Sequence, residues 1–310
     1  MSVVAAAALG GLGGCGSAPQ VRSQVQAQPR LEQPLADEQA YLRQAGVDPA
    51  QLQCSAANRW STTLRGDARF TAEQIIDELS RLGATVPADQ AKEARKRVTD
   101  AVFWRLILTQ ILEGQLHNLG AAVLPGATLT DGRPVLIFRT GFTADPELPG
   151  SCVQSLLGAG VRHIVNLYAG PMPTQALEEG EKRAVVAVGG TYFSARSDPQ
   201  AGNWREDLRE GDGDQARQAA YKAVAELIRN HILRPGGGPL RGHVQLHCGG
   251  GMHRTGMIIG VVERCLGGVA MPQVADHYKR HVGWRSDAQL GGFEPENLRF
   301  IEGFDCGLLR

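Results

Sequence analysis

The stretch His243-Val244-Gln245-Leu246-His247-Cys248-Gly249-Gly250-Gly251-Met252-His253-Arg254-Thr255-Gly256 decides how this chain is read. Residues 243–247 read as a strand. An apolar run over 257–266, closed by Gly267-Gly268, reads as a helix. Between them five residues separate Cys248 from Arg254, three of them glycines. Phosphate binding asks for this arrangement. Glycines permit the backbone angles that turn successive N–H groups inward, and the following helix aims its positive end at the same point. Arg254 supplies a planar fork for two phosphate oxygens. The field that holds an anion also favours a thiolate at Cys248, lowering its pKa from about 8.5 and making it a nucleophile near neutral pH.

Working outward, strands alternate with helices. Asp131-Gly132-Arg133-Pro134 is a turn, and the apolar run 135–138 suits a strand buried on both faces. A helical stretch around 152–158 leads to a second strand at 161–167, and 191–195 reads as a third. Asp212 or Asp214 caps a helix over 215–233, in which Ala220, Val224, Leu227 and Ile228 share a face. Pro235-Gly236-Gly237-Gly238-Pro239 ends it. This order predicts an α/β fold with a mostly parallel central sheet flanked by helices, and a ligand site where strands end and helices begin.

His-Cys, five residues, Arg, then Thr at 247–255 resembles the signature of the cysteine-dependent protein-tyrosine and dual-specificity phosphatases. Three further stretches look like the atypical dual-specificity group first recognised in plants and fungi: Phe138-Arg139-Thr140-Gly141, the 160–167 segment, and Phe300-Ile301-Glu302-Gly303-Phe304-Asp305. The resemblance spans about residues 133–305. It implies a cysteinyl-phosphate intermediate on Cys248. Arg254 and the loop amides of Gly249, Gly250, Gly251, Met252, His253 and Arg254 would hold the equatorial oxygens. It further implies that Thr255 stabilises the thiolate, that His247 orders the loop by bonding backbone groups, and that no metal or other cofactor is needed. The leaving oxygen would take its proton from an Asp on a loop. Asp198, in Arg196-Ser197-Asp198-Pro199 just past the third strand, is the expected acid, with Asp207, Asp212 and Asp214 as alternatives; Asp198-Pro199 also reads as a plain turn.

The loop departs from the plant and fungal group, which acts on inositol pyrophosphates and phosphotyrosine. That group tends to carry cations where Gly249, Gly250 and Met252 stand here. The expected substrate is therefore a phosphotyrosyl protein or a small phosphoester, with an inositol (pyro)phosphate as the alternative. Two rivals keep the cradle or the cysteine: a catalytically silent phosphate-binding module, and a sulfurtransferase of the rhodanese type. His277 and His281, four apart on a helix opening near Pro272, have a spacing that suits a metal but lack further ligands and read as a solvated face.

Upstream, the pattern from 37 to about 126 reads as helical, with a capping box at Thr71-Ala72-Glu73-Gln74 and a long helix over 88–118. It gives a helical extension over 37–130 before a phosphatase-like domain over 131–310. The apolar run 3–12 is too short to span a bilayer, which takes about 20 residues. It reads as a signal peptide. Leu12-Gly13-Gly14-Cys15 resembles the bacterial lipobox, so the sequence predicts a segment 1–15 processed at Cys15, a flexible linker over 16–36, and a lipid anchor at the cell envelope. No Lys or Arg precedes the run, and the rival reading is a cytoplasmic enzyme with a Gly/Ala tail. Cys54, Cys152, Cys265 and Cys306 are open to disulfides outside the cytoplasm. The 32 cationic and 32 acidic side chains balance, which excludes a broad polyanion-coating surface and hence nucleic acid as a partner. Any anion must be met locally.

Overall fold

The computed structural model describes residues 34–56, 117–143, 145–170, 174–198, 201, 203–205, 208, 213–282 and 295–310. The signal-like segment with Cys15, the helices expected from the capping box at 71 and over most of 88–118, and Asp207 and Asp212 lie outside the described residues. Strands Gly120–Thr128 (β1), Pro134–Thr140 (β2), Val161–Asn166 (β3), Thr191–Ser194 (β4) and His243–His247 (β5) form one sheet in the order β1-β2-β5-β3-β4. All neighbours run parallel except β1 with β2. The expected α/β fold with a mostly parallel sheet is what the chain adopts.

Both faces are covered, which explains why the central strands lack a polar side. In β2, Val135 and Ile137 enter one core while Leu136 and Phe138 enter the other. Helices Ala36–Gln44 (α1), Cys152–Gly158 (α2) and Gln175–Ala187 (α3) pack on the second face. Helices Gly213–Leu227 (α4), His253–Cys265 (α5), Met271–Val282 (α6) and Pro295–Gly303 (α7) pack on the first. Central strand β5 ends at the cysteine loop, and α5 leaves that loop. Met257, Ile258, Val261 and Val262 of α5 are fully buried. At about 1.5–3 kcal/mol for each such side chain, the helix is firmly seated and fixes the far end of the loop.

Two local expectations are corrected. The helical pattern read to about 126 fails at its end: residues 120–128 are strand β1, antiparallel to β2, so the sheet begins upstream of 131. Its small residues gave no strand signal, and Pro125 with Gly126, at φ +74°, falls where the register shifts between Val123 and Thr128. An edge strand tolerates such a break because one side of its ladder is unpaired. Helix α5 starts at His253, not Met257, so Arg254 and Thr255 stand in its first turn. The four cysteines whose pairing the sequence left open form two disulfides, Cys54–Cys152 and Cys265–Cys306. The first joins the segment after α1 to the start of α2. Cys248 is the free thiol among the described residues.

Candidate active site

The loop between β5 and α5 is shaped by where its carbonyls go. His247 O accepts from Leu167 N at 2.7 Å, Gly249 O from Phe142 N at 3.1 Å, and Met252 O from Gly256 N at 2.8 Å. Gly250 O and Gly251 O accept from Asn118 Nδ2, each at 3.1 Å, and Gly251 O also from Arg139 at 2.5 Å. The carbonyls of Gly249, Gly250 and Gly251 are thus taken up by partners outside the loop, while the Met252 and Thr255 amides act on the Cys248 sulfur. Gly251 sits at φ +64°, and a Cβ there would collide with the Thr140 carbonyl and Gly141 N. Only glycine fits. The first turn of α5 adds its unsatisfied N–H groups at the same point.

Cys248 begins this loop and is 6% exposed. Burial pushes its thiol pKa up, but the Thr255 hydroxyl and amide, the Arg254 charge and the Met252 amide outweigh it, and the thiol is held below its ordinary value. The Thr255 hydroxyl is buried and meets no partner in good hydrogen-bond geometry, so it acts on the sulfur as a nearby dipole rather than a full bond. A second guanidinium lies within electrostatic reach: Arg139 is buried, its pKa pushed down to about 10 by desolvation and supported by Glu38 and Cys248.

Behind the nucleophile, His247 points into the face covered by α3. Its Nε2 lies 3.1 Å from Glu181 Oε2, and both side chains are 0% exposed. Burial pushes the imidazole pKa down; the Glu181 charge outweighs this and raises it. Tyr192 Oη donates to the same Oε2 at 3.2 Å and receives Asn166 Nδ2 at 3.2 Å. Burial and the Glu181 charge push the Tyr192 phenol well up, which keeps it a neutral donor. Phe142 meets the His247 ring edge-on at 5.1 Å.

Cys248, Gly249 to Gly251, Met252, His253, Arg254 and Thr255 are therefore brought together on one short turn. Asp198 follows a 3-10 turn, Ala195–Ser197, beyond β4, and its Oδ1 accepts from Ala201 N at 3.3 Å. Ser194, Asn166 and His247 are in register across the parallel strands β4, β3 and β5, so the segment with Asp198 and the loop with Cys248 both follow the carboxyl-terminal end of the sheet. Asp214 belongs to the first turn of α4, where it pairs with Arg217 at 3.0 Å in solvent. His277 and His281 do not form the solvated face expected: they contact Glu263 at 3.0 Å and Glu38 at 2.7 Å. Among the described residues no group of three ligating side chains is placed to hold a metal. Sequence reasoning missed Asn118, Arg139, Glu181 and Glu38, all of which act from a distance in the chain. The sole local hint was Arg139, in the quoted stretch Phe138-Arg139-Thr140-Gly141 at the end of a buried strand.

No family model matches the chain, and no curated protein matches it. Among solved structures it is similar to the core catalytic domain of the PP-IP phosphatase SIW14 from S. cerevisiae, crystallised with citrate. Identity is 19%, over 55% of this chain and 80% of that one, with a TM-score of 0.34. So distant a likeness leaves the functional reading to the residues themselves.

Proposed function

We propose that the protein is a cysteine-dependent phosphatase that hydrolyses phosphate monoesters. The observation that carries this is a buried, acidified Cys248 under a loop whose carbonyls are tied outward. Cys248 attacks phosphorus in line while the ester oxygen leaves with a proton from Asp198. Arg254 and the loop amides balance the charge on the equatorial oxygens. Water then displaces the thiolate from phosphorus and gives a proton to the Asp198 carboxylate, which restores the acid and yields inorganic phosphate and the free enzyme; Thr255 and the helix end stabilise the departing thiolate.

Gly249, Gly250 and Met252 bring no cation to the rim of the cradle, which favours a phosphotyrosyl or other monoester over a crowded polyphosphate. The test is hydrolysis of p-nitrophenyl phosphate in chelator. The parent should turn over, vanadate should block it, and Cys248→Ser should abolish it. Equal turnover by parent and Cys248→Ser would overturn the mechanism; phosphate binding without turnover would show the silent module instead. Phosphotyrosine, phosphoserine and PP-IP compared at kcat/KM then assign the substrate.

The two disulfides support an oxidising compartment and, with the lipobox-like Cys15, an envelope protein held by a lipid anchor. Mass spectrometry of the native protein should find lipid on Cys15; an intact Met1 would return the protein to the cytoplasmic reading.

A further inference from the structure

We infer that Asn118 is a positioning residue for the phosphate loop, locked by a relay through His281 to Glu38 of α1. This rests on the phosphatase reading and gives the segment upstream of the expected domain a part in its site. Asn118 is fully buried at φ +53°, a left-handed conformation that Asn adopts more readily than other side chains with a Cβ. Its Nδ2 lies 3.1 Å from three carbonyls, those of Gly250, Gly251 and His281, and its two hydrogens serve them with one bond shared. That fixes the amide orientation, because only Nδ2 donates, and it sets Oδ1 against His281 Nδ1 at 3.0 Å.

The rest of the relay follows from donor counting. Oδ1 accepts only, so His281 Nδ1 carries a proton. His281 Nε2 lies 2.7 Å from Glu38 Oε1. A contact that short between two groups needs a proton between them. The pair therefore shares one, and the imidazole keeps its donor on Asn118. Glu38 is itself fixed, accepting from Leu35 N at 3.1 Å and from Ala121 N at 3.3 Å. Helix α1, strand β1 and helix α6 thus converge on two carbonyls of the loop. Without that hold, the Gly250 carbonyl loses its donor and the Gly251 carbonyl keeps only Arg139, so the loop peptides turn their amides away from the anion more readily. Preorganised dipoles lose their advantage when they must be reoriented at binding.

The experiment reads the loop without needing turnover. The alkylation rate of Cys248 by iodoacetamide, followed on its peptide by mass spectrometry in the full chain, gives the thiolate midpoint. Protection by inorganic phosphate gives anion affinity. Asn118→Gly keeps the positive φ and removes the amide. It should raise the midpoint by about one pH unit and weaken phosphate protection about tenfold, the scale of one charge-assisted hydrogen bond. Glu38→Ala, a good helix former that leaves the loop contacts untouched, should move both in the same direction by a smaller factor. Folded Asn118→Gly with midpoint and protection unchanged overturns the inference. If Asn118→Gly does not fold, Glu38→Ala decides: unchanged protection overturns it, weakened protection supports it. A parent that is protected by phosphate yet hydrolyses nothing would sink the phosphatase reading alone.

Discussion

Replacing Glu181 by Gln tests the buried pair behind the nucleophile. The carboxylate is 3.1 Å from His247 Nε2, both side chains are wholly buried, and its other oxygen has no hydrogen-bond partner. Removing one member of such a pair typically costs about 3–5 kcal/mol. The pH dependence is sharper than the total. In the parent, the His247 pKa is raised above its ordinary 6.5. That stabilisation is fully present below 6.5 and is lost as pH rises through the folded value. In Glu181→Gln the imidazole is buried without an acid. His117, His163 and His243 show the consequence, each pushed down to about 4 by burial. The variant therefore folds with His247 neutral and loses stability as pH falls below 6.5, at about 1.4 kcal/mol per unit. The stability deficit at pH 5 should exceed that at pH 9 by at least about 2 kcal/mol. Urea unfolding of parent and variant at fixed ionic strength measures it. A deficit constant from pH 5 to 9 would refute the ion pair. The imidazolium also sits next to Cys248, so the acid limb of kcat/KM should move to higher pH in the variant.

Asp198→Ala should slow hydrolysis of aliphatic or phenyl phosphates by about 10²–10⁴, the usual contribution of a general acid, and p-nitrophenyl phosphate far less. Equal slowing on both removes Asp198 from the role. In a Cys15→Ser protein denatured without reductant, thiol titration should find one thiol per chain, Cys248; finding five would place the chain in a reducing compartment. Opening Cys265–Cys306 by a double Ser substitution removes a cross-link over 41 residues, worth about 4 kcal/mol in the chain-entropy model. Urea unfolding checks this, and a loss under about 1 kcal/mol would show that the bridge adds no constraint.

Legibility followed chain distance. The turn from Cys248 to Thr255 was readable because its chemistry is local: glycines, a helix start and an arginine lie within one loop. The parallel strands were readable because both of their faces are buried and their residues run apolar. Strand β1 was not, since Gly120-Ala121-Ala122 carries no branched or aromatic side chain and Pro125 argues against a ladder. Glu181 lies within Glu178-Glu179-Gly180-Glu181-Lys182-Arg183, a charged run that reads as solvated. Only the approach of α3 to β5 singles it out for burial. His281 and Glu38 are 243 residues apart, and Asn118 is 132 from Gly250. No periodicity links such positions. His247 was expected to order the loop by bonding backbone groups; its Nε2 instead faces Glu181 at 3.1 Å, a charge partner for an imidazole buried at the end of a central strand.

The chain's balanced charge and its anion site are compatible because the field is built from pairs. Glu181 is matched by His247. Glu38 is matched by the proton it shares with His281 and by the Arg139 charge, which its pKa feels. The Arg254 charge, the helix end and the Met252 and Thr255 amides act on Cys248 at close range. A long-range basic surface is screened over roughly 8–10 Å at physiological salt. Buried dipoles and a guanidinium in contact with the anion are screened far less. Anion affinity at this site should therefore depend weakly on ionic strength, whereas an anion gathered by a basic patch would be lost steeply. A neutral total is therefore no obstacle to an anion cradle, because the groups that act on Cys248 do so through position and dipole direction rather than through net charge.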